Sequence, residues 1–236
     1  MLKVENLKKS FGGFEAVKGI SFEVKQGEVL GFLGPNGAGK STTMRMITGF
    51  LPASGGTASI CGHDIAVEPV AAKAALGYLP ESAPSYRAMT VEEYLKFIAR
   101  VRGLDEKRAV TNVLEKAKLS DHAGRTIETL SKGYRQRTAF AAAIIHDPKV
   151  LIMDEPTDGL DPNQKFAVRE MIKEMSAEKA IVISTHILEE VDAVCTRAII
   201  IAGGEIKADG TPAELKAMDP SGDLATVFRK LTMEAK

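Results

Sequence analysis

Eight residues, GPNGAGKS at positions 34–41, have the composition and spacing needed to hold a chain of phosphates. Glycines at three of these positions permit backbone angles that other residues resist, so successive N–H groups can converge on a β-phosphate. The positive end of the helix that follows would add to the attraction. Lys40 would reach the β- and γ-phosphates, and the Ser41 hydroxyl would bind Mg²⁺. The predicted nucleotide-binding residues of this loop are Gly34, Pro35, Asn36, Gly37, Ala38, Gly39, Lys40, Ser41 and Thr42.

A second candidate for chemistry is the pair Asp154 and Glu155, which follows the apolar run VLIM. A buried parallel strand would deliver both carboxylates to the sheet edge at which α/β proteins bind ligands. We expect Asp154 to hold Mg²⁺, directly or through water. Glu155 would orient the attacking water and accept its proton, because adjacent strand residues point in different directions. Alone, the pair would be an acidic strand end before Pro156; beside a phosphate loop it predicts triphosphate hydrolysis.

His186 ends the next apolar run, in the sequence STH. Taken alone, it would lie near a helix start, with Thr185 as the N-cap of a helix over residues 187–194. The carboxyl ends of parallel strands meet at one edge, however, which places His186 near Lys40 and Glu155. There it would donate a hydrogen bond to the γ-phosphate. Glu155, His186 and Lys40 are therefore the predicted catalytic residues.

Between these motifs lies LSKGYRQR, at residues 130–137, in which Ser131 and Gly133 open a long apolar helix. One reading is that Ser131 is an N-cap and nothing more. The phosphate site formed by the other motifs has no evident need for a second helix N-terminus. The motifs of the chain itself do not say what this segment binds.

Alternating strands and helices must position these residues. Residues 29–33 form an apolar strand before the glycine loop, and residues 41–48 a helix that Gly49 ends. The runs 150–153 and 180–184 are too continuously apolar for a half-exposed sheet, which indicates parallel strands covered on both faces by helices. Residues 2–4 and 20–24 also have strand patterning, with a turn signal at 12–13. The sequence therefore predicts an α/β core.

Residues from about 82 to 145 have a different, mainly helical pattern. Thr90 and Glu93 form a capping box before an apolar stripe, and Gly103 follows it. We expect a single domain, whose core covers about 1–81 and 146–210 and whose helical insertion covers about 82–145. A helical tail over about 211–236 would pack its apolar stripe back onto the domain.

Composition excludes several classes of protein. Lys plus Arg equals Asp plus Glu at 31 each, so no overall field attracts nucleic acid or anionic lipid. No run approaches the roughly 18–20 apolar residues of a membrane-crossing helix, so we expect no direct membrane insertion. The N-terminal residues also lack the apolar stretch of a secretory signal. Cys61 and Cys195 fit no metal-site spacing and are expected to be buried thiols in a reducing compartment.

Together, the motifs and their order resemble the nucleotide-binding subunits of ABC transporters. The resemblance covers nearly the whole chain and implies a P-loop NTPase core with a mainly parallel sheet, a small antiparallel β subdomain and an inserted helical subdomain. It implies binding and hydrolysis of ATP with Mg²⁺. It also implies a head-to-tail dimer, in which the segment Ser131, Lys132, Gly133 and Tyr134 contacts the ATP held by the partner's Lys40. By the same resemblance, Asp161 touches the opposite subunit, and Phe11 stacks on adenine; a core phenylalanine is the competing reading.

Three positions depart from the family pattern. Lys132 stands where glycine is usual, and Tyr134 where glutamine is usual, which changes the charge and the ribose side of the partner's site. Glu81 replaces a glutamine after the strand that precedes the helical insertion. A carboxylate can still bind Mg²⁺ or its waters, although it adds negative charge near the triphosphate and cannot donate as an amide does.

The resemblance also implies partners and a location. It is closest to a subgroup of multidrug, sodium and gliding-type exporters, so we expect a separate transmembrane permease and a position on the cytoplasmic face of the membrane. A second ATPase chain, most simply an identical copy, would complete the dimer. Pro84, Tyr86 and Met89 are expected to form an apolar groove that passes motion to the permease. The alternatives are a non-transport ABC ATPase acting on ribosomes or nucleic acid, and a nucleotide sensor without hydrolysis.

Overall fold

Two β-sheets form the framework of the protein, whose computed structural model describes residues 1–82 and 85–233. The strands are β1 (Leu2–Phe11), β2 (Phe14–Val24), β3 (Val29–Leu33), β4 (Gly55–Ile60), β5 (His63–Asp64), β6 (Leu76–Leu79), β7 (Val150–Asp154), β8 (Ala180–Thr185), β9 (Arg197–Ala202) and β10 (Glu205–Gly210). The α-helices are α1 (Lys40–Ile47), α2 (Pro69–Ala74), α3 (Val91–Val101), α4 (Glu106–Lys116), α5 (Lys132–Ile144), α6 (Pro162–Ser176), α7 (Leu188–Val194), α8 (Pro212–Ala217) and α9 (Leu224–Met233). Short 3₁₀ turns occur at Ser120–His122 and Ile127–Thr129.

The larger sheet has the strand order β10-β9-β3-β8-β7-β6. Its strands run parallel except β10, which is antiparallel to β9. The smaller sheet, in the order β2-β1-β4-β5, is antiparallel. The mixed architecture, mainly parallel with a small antiparallel sheet, confirms the predicted fold class.

Strands β3, β7 and β8 are buried along their whole length. Successive residues of β8 join different apolar clusters: Ile181 and Ile183 pack with the helices α3 to α6, whereas Ala180 and Val182 pack towards α1 and the antiparallel sheet. The sheet is therefore covered on both faces, as its continuous apolar runs predicted.

The predicted helical segment consists of α3, α4 and α5. Thr90 Oγ1 accepts a hydrogen bond from the Glu93 amide at 3.2 Å, and the Glu93 carboxylate accepts one from the Thr90 amide at 2.8 Å, so the expected capping box is present. The apolar residues of these helices form one cluster with Leu151 and Met153 of β7. This shared core joins the helices directly to the strand that carries Asp154.

The C-terminal helices return to the core. Leu224 and Val227 of α9 are buried against Leu33 and Ile200, which confirms the expected packing of the apolar stripe. Within the described residues, no helix has the length and apolar character required to cross a bilayer.

The expectation of two buried cysteines was wrong for Cys61. This residue is exposed in the tight turn between β4 and β5, where its φ of 52° belongs to the left-handed region. Cys195 is partly covered instead, and burial raises the pKa of its thiol to about 12. Cys61 lies in a turn outside the paired strands and is left exposed, which the residue type alone did not show.

Candidate functional site

The glycine loop joins β3 to α1 and has backbone angles that require glycine. Gly37 and Gly39 have φ values of 80° and 104°, in the left-handed region. A Cβ atom on Gly39 would lie 2.7 Å from the carbonyl oxygen of Ala16, and one on Gly34 would lie 2.5 Å from that of Ile201. The neighbouring strands therefore leave no room for side chains here, and the loop backbone is fixed at the N-terminus of α1.

Lys40 begins α1 and lies at the bottom of the cleft with only 6% of its side chain exposed. Its ammonium group donates hydrogen bonds to the carbonyl oxygens of Gly34, at 2.7 Å, and Pro35, at 3.3 Å. Glu155 Oε1 lies 3.7 Å away. Burial lowers the pKa of Lys40, and the carboxylates of Glu155 and Asp154 act in the opposite direction. The structure thus aims a partly desolvated cation at the loop predicted to hold phosphate.

Asp154 is buried at the end of β7 and accepts two side-chain hydrogen bonds on its Oδ1 atom. One comes from Ser41 Oγ at 3.3 Å, and the other, a short one, comes from Ser184 Oγ. Glu81 lines the cleft together with Lys40 and Ser41. Hydroxyl and carboxylate oxygens are the ligands that Mg²⁺ prefers, and the three predicted metal ligands therefore fit this ion.

The same donor set indicates how such an ion would be held. Among the described residues, no cluster of three or more His, Cys, Asp or Glu side chains could hold a metal by itself. Mg²⁺ characteristically keeps waters and binds one or two protein groups together with substrate phosphates. The chemistry of this edge therefore suits Mg²⁺ that arrives with a triphosphate.

Glu155 immediately follows β7 with a φ of 51°, a left-handed angle that is rare for a residue other than glycine. Its amide donates to the carbonyl oxygen of Ser184 at 3.0 Å, which ties this turn to β8. Its Oε2 atom lies 2.9 Å from Nδ1 of His186, whose side chain is about half exposed. The expected meeting of Lys40, Glu155 and His186 at one sheet edge is therefore present.

The interpretation of Thr185 as a helix N-cap was wrong. Helix α7 begins at Leu188, and its N-cap residue Ile187 makes no side-chain capping hydrogen bond. The Thr185 hydroxyl instead accepts from the Ile187 amide at 3.0 Å. It closes the turn that presents His186, a local role that the N-cap pattern could not distinguish.

One cleft of about 580 Å³ is lined by loop residues and by Lys40, Ser41, Glu81, Glu155 and His186, with two phenylalanines at its edge. Asp154 lies behind this lining and contacts it through Ser41. Phe11 and Phe14 face each other across the hairpin turn of β1 and β2. Phe11 is 47% exposed, which excludes the reading of a core residue, and the Lys9 ammonium lies 5.0 Å from its ring centroid. Phe14 was not predicted; the turn signal at residues 12–13 could have identified it.

The segment of residues 131–134 does not line this cleft within the part of the chain that the structure describes. Ser131 is the N-cap of α5 and accepts from the Tyr134 amide at 3.5 Å. Lys132 pairs with Asp158 at 3.4 Å. The Tyr134 ring stacks on His122 with 3.9 Å between centroids. A Cβ on Gly133 would lie 2.3 Å from the end of the Gln164 side chain, which would have to move to make room.

Asp161 is an exposed residue at the end of the segment between Glu155 and α6. It caps that helix by accepting from the Gln164 amide at 3.0 Å.

Two further contacts were missed from the sequence, both close to the site: Ser184 donates to Asp154, and buried Gln136 of α5 donates to the carbonyl oxygen of Pro156 at 3.2 Å. Ser184 pairs with Asp154 in the register of β7 and β8, which the sequence pattern did not show.

An apolar groove of about 420 Å³ lies apart from the nucleotide cleft, between the sheet and α3. Its walls include Phe50, Tyr78, Tyr94, Ile98 and Val101. The Phe50 and Tyr78 rings are 5.4 Å apart, and Phe50 and Val101 are largely exposed.

This groove differs from the one expected. Met89 packs against the helical core instead, and Tyr86, which is exposed, contacts the edges of Tyr94 and Phe97. Pro84 lies outside the described residues. The groove expected at Pro84, Tyr86 and Met89 therefore stays a prediction, whereas the groove beside α3 has walls from separate elements.

Comparison with known proteins agrees with the geometry. The family model described as ABC transporter matches residues 17–158. The linearmycin resistance ATP-binding protein LnrL of Bacillus subtilis (strain 168) is 42% identical over 219 residues, which are 91% of this chain and 70% of that protein. The Nod factor export ATP-binding protein I of Paraburkholderia xenovorans (strain LB400) is 37% identical over 96% of this chain and 76% of its own length.

Solved structures give the same result. One described as the ATP-binding subunit of an ABC transporter superposes with a TM-score of 0.88 at 30% identity, over 98% of this chain and 99% of the other. CbiO1 from Clostridium perfringens, described as part of the transporter complex cbiONQ, gives a TM-score of 0.80 at 30% identity, over 92% and 90% of the two chains. The relatives are transporter subunits, which favours that class over the ribosomal ATPase and the sensor. The chain belongs to the ABC transporter family and is an ATP-binding subunit with ATPase activity.

Proposed function

We propose that this ATPase powers a separate membrane subunit by closing two copies of itself around ATP and reopening after hydrolysis. The observation that carries the proposal is the convergence of Lys40, Asp154, Glu155 and His186 at one sheet edge. Charged and titratable groups that meet in a cleft are the usual mark of a reaction site. The named roles of these residues are part of the proposal.

In this scheme the loop amides and Lys40 bind the β- and γ-phosphates. Mg²⁺ held by Ser41 and Asp154, with Glu81 towards its waters, would neutralise charge on the phosphate oxygens. Glu155 orients a water for in-line attack on the γ-phosphorus and accepts its proton as the bond to ADP breaks. His186 donates to the γ-phosphate from a protonated ring nitrogen. Phe11 offers its exposed face to the adenine.

The second copy completes each site. Ser131 and the Gly133 amide lie at the N-terminus of α5, and both are suited to an anion that another chain presents. Lys132 adds a positive charge at the same end, and Tyr134 and Asp161 lie on segments that reach the opposite copy. Residues 131–134 are not among the described residues that line the chain's own cleft, which supports a contact between chains.

The apolar groove beside α3 supports coupling to a membrane subunit. Exposed Phe50 and Val101 border a recess that is large enough for a short helix or loop of an apolar partner. We assign the groove to the separate permease, and the chain to the cytoplasmic face of its membrane. Export is the proposed direction, supported by the relative named for Nod factor export. Nucleic acid is not a proposed partner, because the chain carries no net charge.

Mixing two inactive variants tests the clamp directly. Lys40→Met removes the chain's own phosphate contact, and Ser131→Arg blocks the contact offered to the partner. A mixed dimer still has one intact site, built from Lys40 of one copy and Ser131 of the other, so the mixture should regain phosphate release that neither variant shows alone. Lys173→Met on the exposed face of α6 is the matched control for lysine loss. Full activity of Ser131→Arg, or no recovery on mixing two folded variants, would exclude a shared site.

A further inference from the structure

Glu190 is a buried acidic residue for which the proposed reaction has no use. It lies in α7 with 2% of its surface exposed, and neither carboxylate oxygen has a hydrogen-bond partner. A carboxylate taken from water without compensation is unfavourable, so stability alone gives no reason for glutamate at this position.

A group of opposite charge on the neighbouring helix also lacks hydrogen-bond partners. Arg169 of α6 has Nε and Nη2 buried without hydrogen-bond partners. Its positive charge acts on Glu190, as does that of Lys165 one turn earlier. The structure therefore holds a carboxylate and a guanidinium group within electrostatic range of each other, and both oxygens of Glu190 and the buried Nε and Nη2 atoms of Arg169 lack hydrogen-bond partners.

The position of the two helices connects this pair to the site. Helix α6 starts at Asp161, the residue assigned to contact the opposite copy. Helix α7 starts just after His186, and the Glu190 amide donates to the Ile187 carbonyl oxygen at 3.1 Å within the turn that presents this histidine. Burial raises the pKa of Glu190. The Thr185 hydroxyl, which lies near the carboxylate but outside hydrogen-bond geometry, and the positive charge of Arg169 oppose the rise, whereas the Glu155 carboxylate adds to it. Glu190 thus belongs to the helical turn that follows His186 and lies within electrostatic range of Glu155.

We propose that Arg169 and Glu190 are a pair of positioning residues that ties α6 to the turn carrying His186. Pressure of the second copy on Asp161 moves α6, the guanidinium group closes onto the carboxylate, and this contact fixes the turn with His186 facing the γ-phosphate. The inference rests on the proposed roles of Glu155, His186 and Asp161. Two buried polar groups left unsatisfied on facing helices are suited to a contact that forms only in the closed dimer.

Steady-state kinetics of four variants test the pair: Glu190→Gln, Arg169→Met, the double variant, and Glu189→Gln as the control on the exposed side of the same helix. Each single change should lower kcat about tenfold with KM for ATP changed less than about twofold, because orientation is lost and not binding. The double variant should be no slower than either single one, since one contact is lost in all three. Glu189→Gln should match the parent. Glu190→Gln should unfold at no lower temperature than the parent, because a neutral amide replaces a buried unpaired carboxylate.

Hydrogen exchange supplies a second readout in the Glu155→Gln background. Addition of MgATP should slow exchange of the amides in residues 185–194, and Glu190→Gln should abolish that slowing. The proposal would be overturned if both single variants kept the parent kcat, or if only KM changed. It would also be overturned if the kcat loss of the double variant were the product of the two single losses. Glu155→Gln, measured in the same series, separates failure of this inference from failure of the proposed reaction. If Glu155→Gln slows turnover and Glu190→Gln does not, only this inference is lost. If Glu155→Gln does not slow turnover, the proposed reaction is lost.

Discussion

Replacing Glu155 by glutamine keeps the shape of the side chain and removes its charge. The structure predicts two separate consequences, one for the reaction and one for the folded state. In the reaction, the water loses the group that would accept its proton. A positioned base contributes about 10² to 10⁴ in rate, which is about 2.7–5.5 kcal/mol in the barrier. Phosphate release in a single turnover should slow by that factor.

The second consequence follows from Lys40. At 3.7 Å, the attraction between Lys40 and Glu155 is about 4–5 kcal/mol at an effective permittivity of about 20, before the opposing cost of desolvation. The two carbonyl hydrogen bonds of Lys40 remain in the variant, so we expect a net loss of about 1–3 kcal/mol in the free energy of unfolding. For a chain of this size, that is a decrease in Tm of at least about 2 °C without nucleotide.

Three measurements check both parts: phosphate release, equilibrium binding of ATP, and thermal unfolding with and without MgATP. Binding should be retained, because the proposed phosphate contacts come from the loop amides and Lys40, and MgATP should stabilise the variant. Glu189→Gln is the control for loss of an exposed glutamate. Turnover at the parent rate would remove Glu155 from the chemistry, and an unchanged Tm without nucleotide would show that its pairing with Lys40 adds no stability.

Three further predictions follow from other parts of the structure. Burial lowers the pKa of His146 from 6.5 to about 4, so the folded state keeps this ring neutral. The contribution to the free energy of unfolding should be complete above pH 6.5 and decrease by up to about 3 kcal/mol as the pH falls to 4. His146→Gln should reduce that loss in urea titrations. Gly37→Ala should lower the free energy of unfolding by about 1–2 kcal/mol, because its left-handed φ disfavours alanine. Gly39→Ala should lower it further, because its methyl group would also meet a carbonyl oxygen at 2.7 Å. A smaller decrease in Tm for Gly39→Ala than for Gly37→Ala would contradict the geometry. Phe50→Asp should abolish transport in reconstituted vesicles while the isolated subunit keeps its ATPase rate, and retained transport would exclude the groove as the permease contact.

The sequence predicted best what depends on local pattern. The glycine loop, the strand before Asp154 and the capping box at Thr90 each lie within a few consecutive residues, and each formed as expected. The meeting of Lys40, Glu155 and His186 was also predictable, because parallel strands place their carboxyl ends together. A general rule of sheet topology supplied that long-range information.

What could not be predicted depends on contacts between distant segments. Ser184 is an ordinary strand serine until the register of β7 and β8 places it against Asp154. Arg169 and Glu190 were not singled out from the sequence, and only the packing of α6 on α7 shows that their polar atoms are buried. Spacing along the chain contains no information about such contacts.

Two contacts in each chain give the proposed dimer a way to connect binding with chemistry. Gln136 joins α5 to the carbonyl oxygen of Pro156, the residue after Glu155, and Lys132 joins the start of α5 to Asp158. The start of α5 is also the part proposed to contact ATP in the opposite copy. A movement of α5 towards that ATP would therefore act on the segment just after this chain's own Glu155. Each copy both holds ATP and offers the start of its α5 to the ATP of the other copy. ATP held by one chain would therefore change the position of Glu155 in the other, and neither site could be fully ordered while the dimer is open.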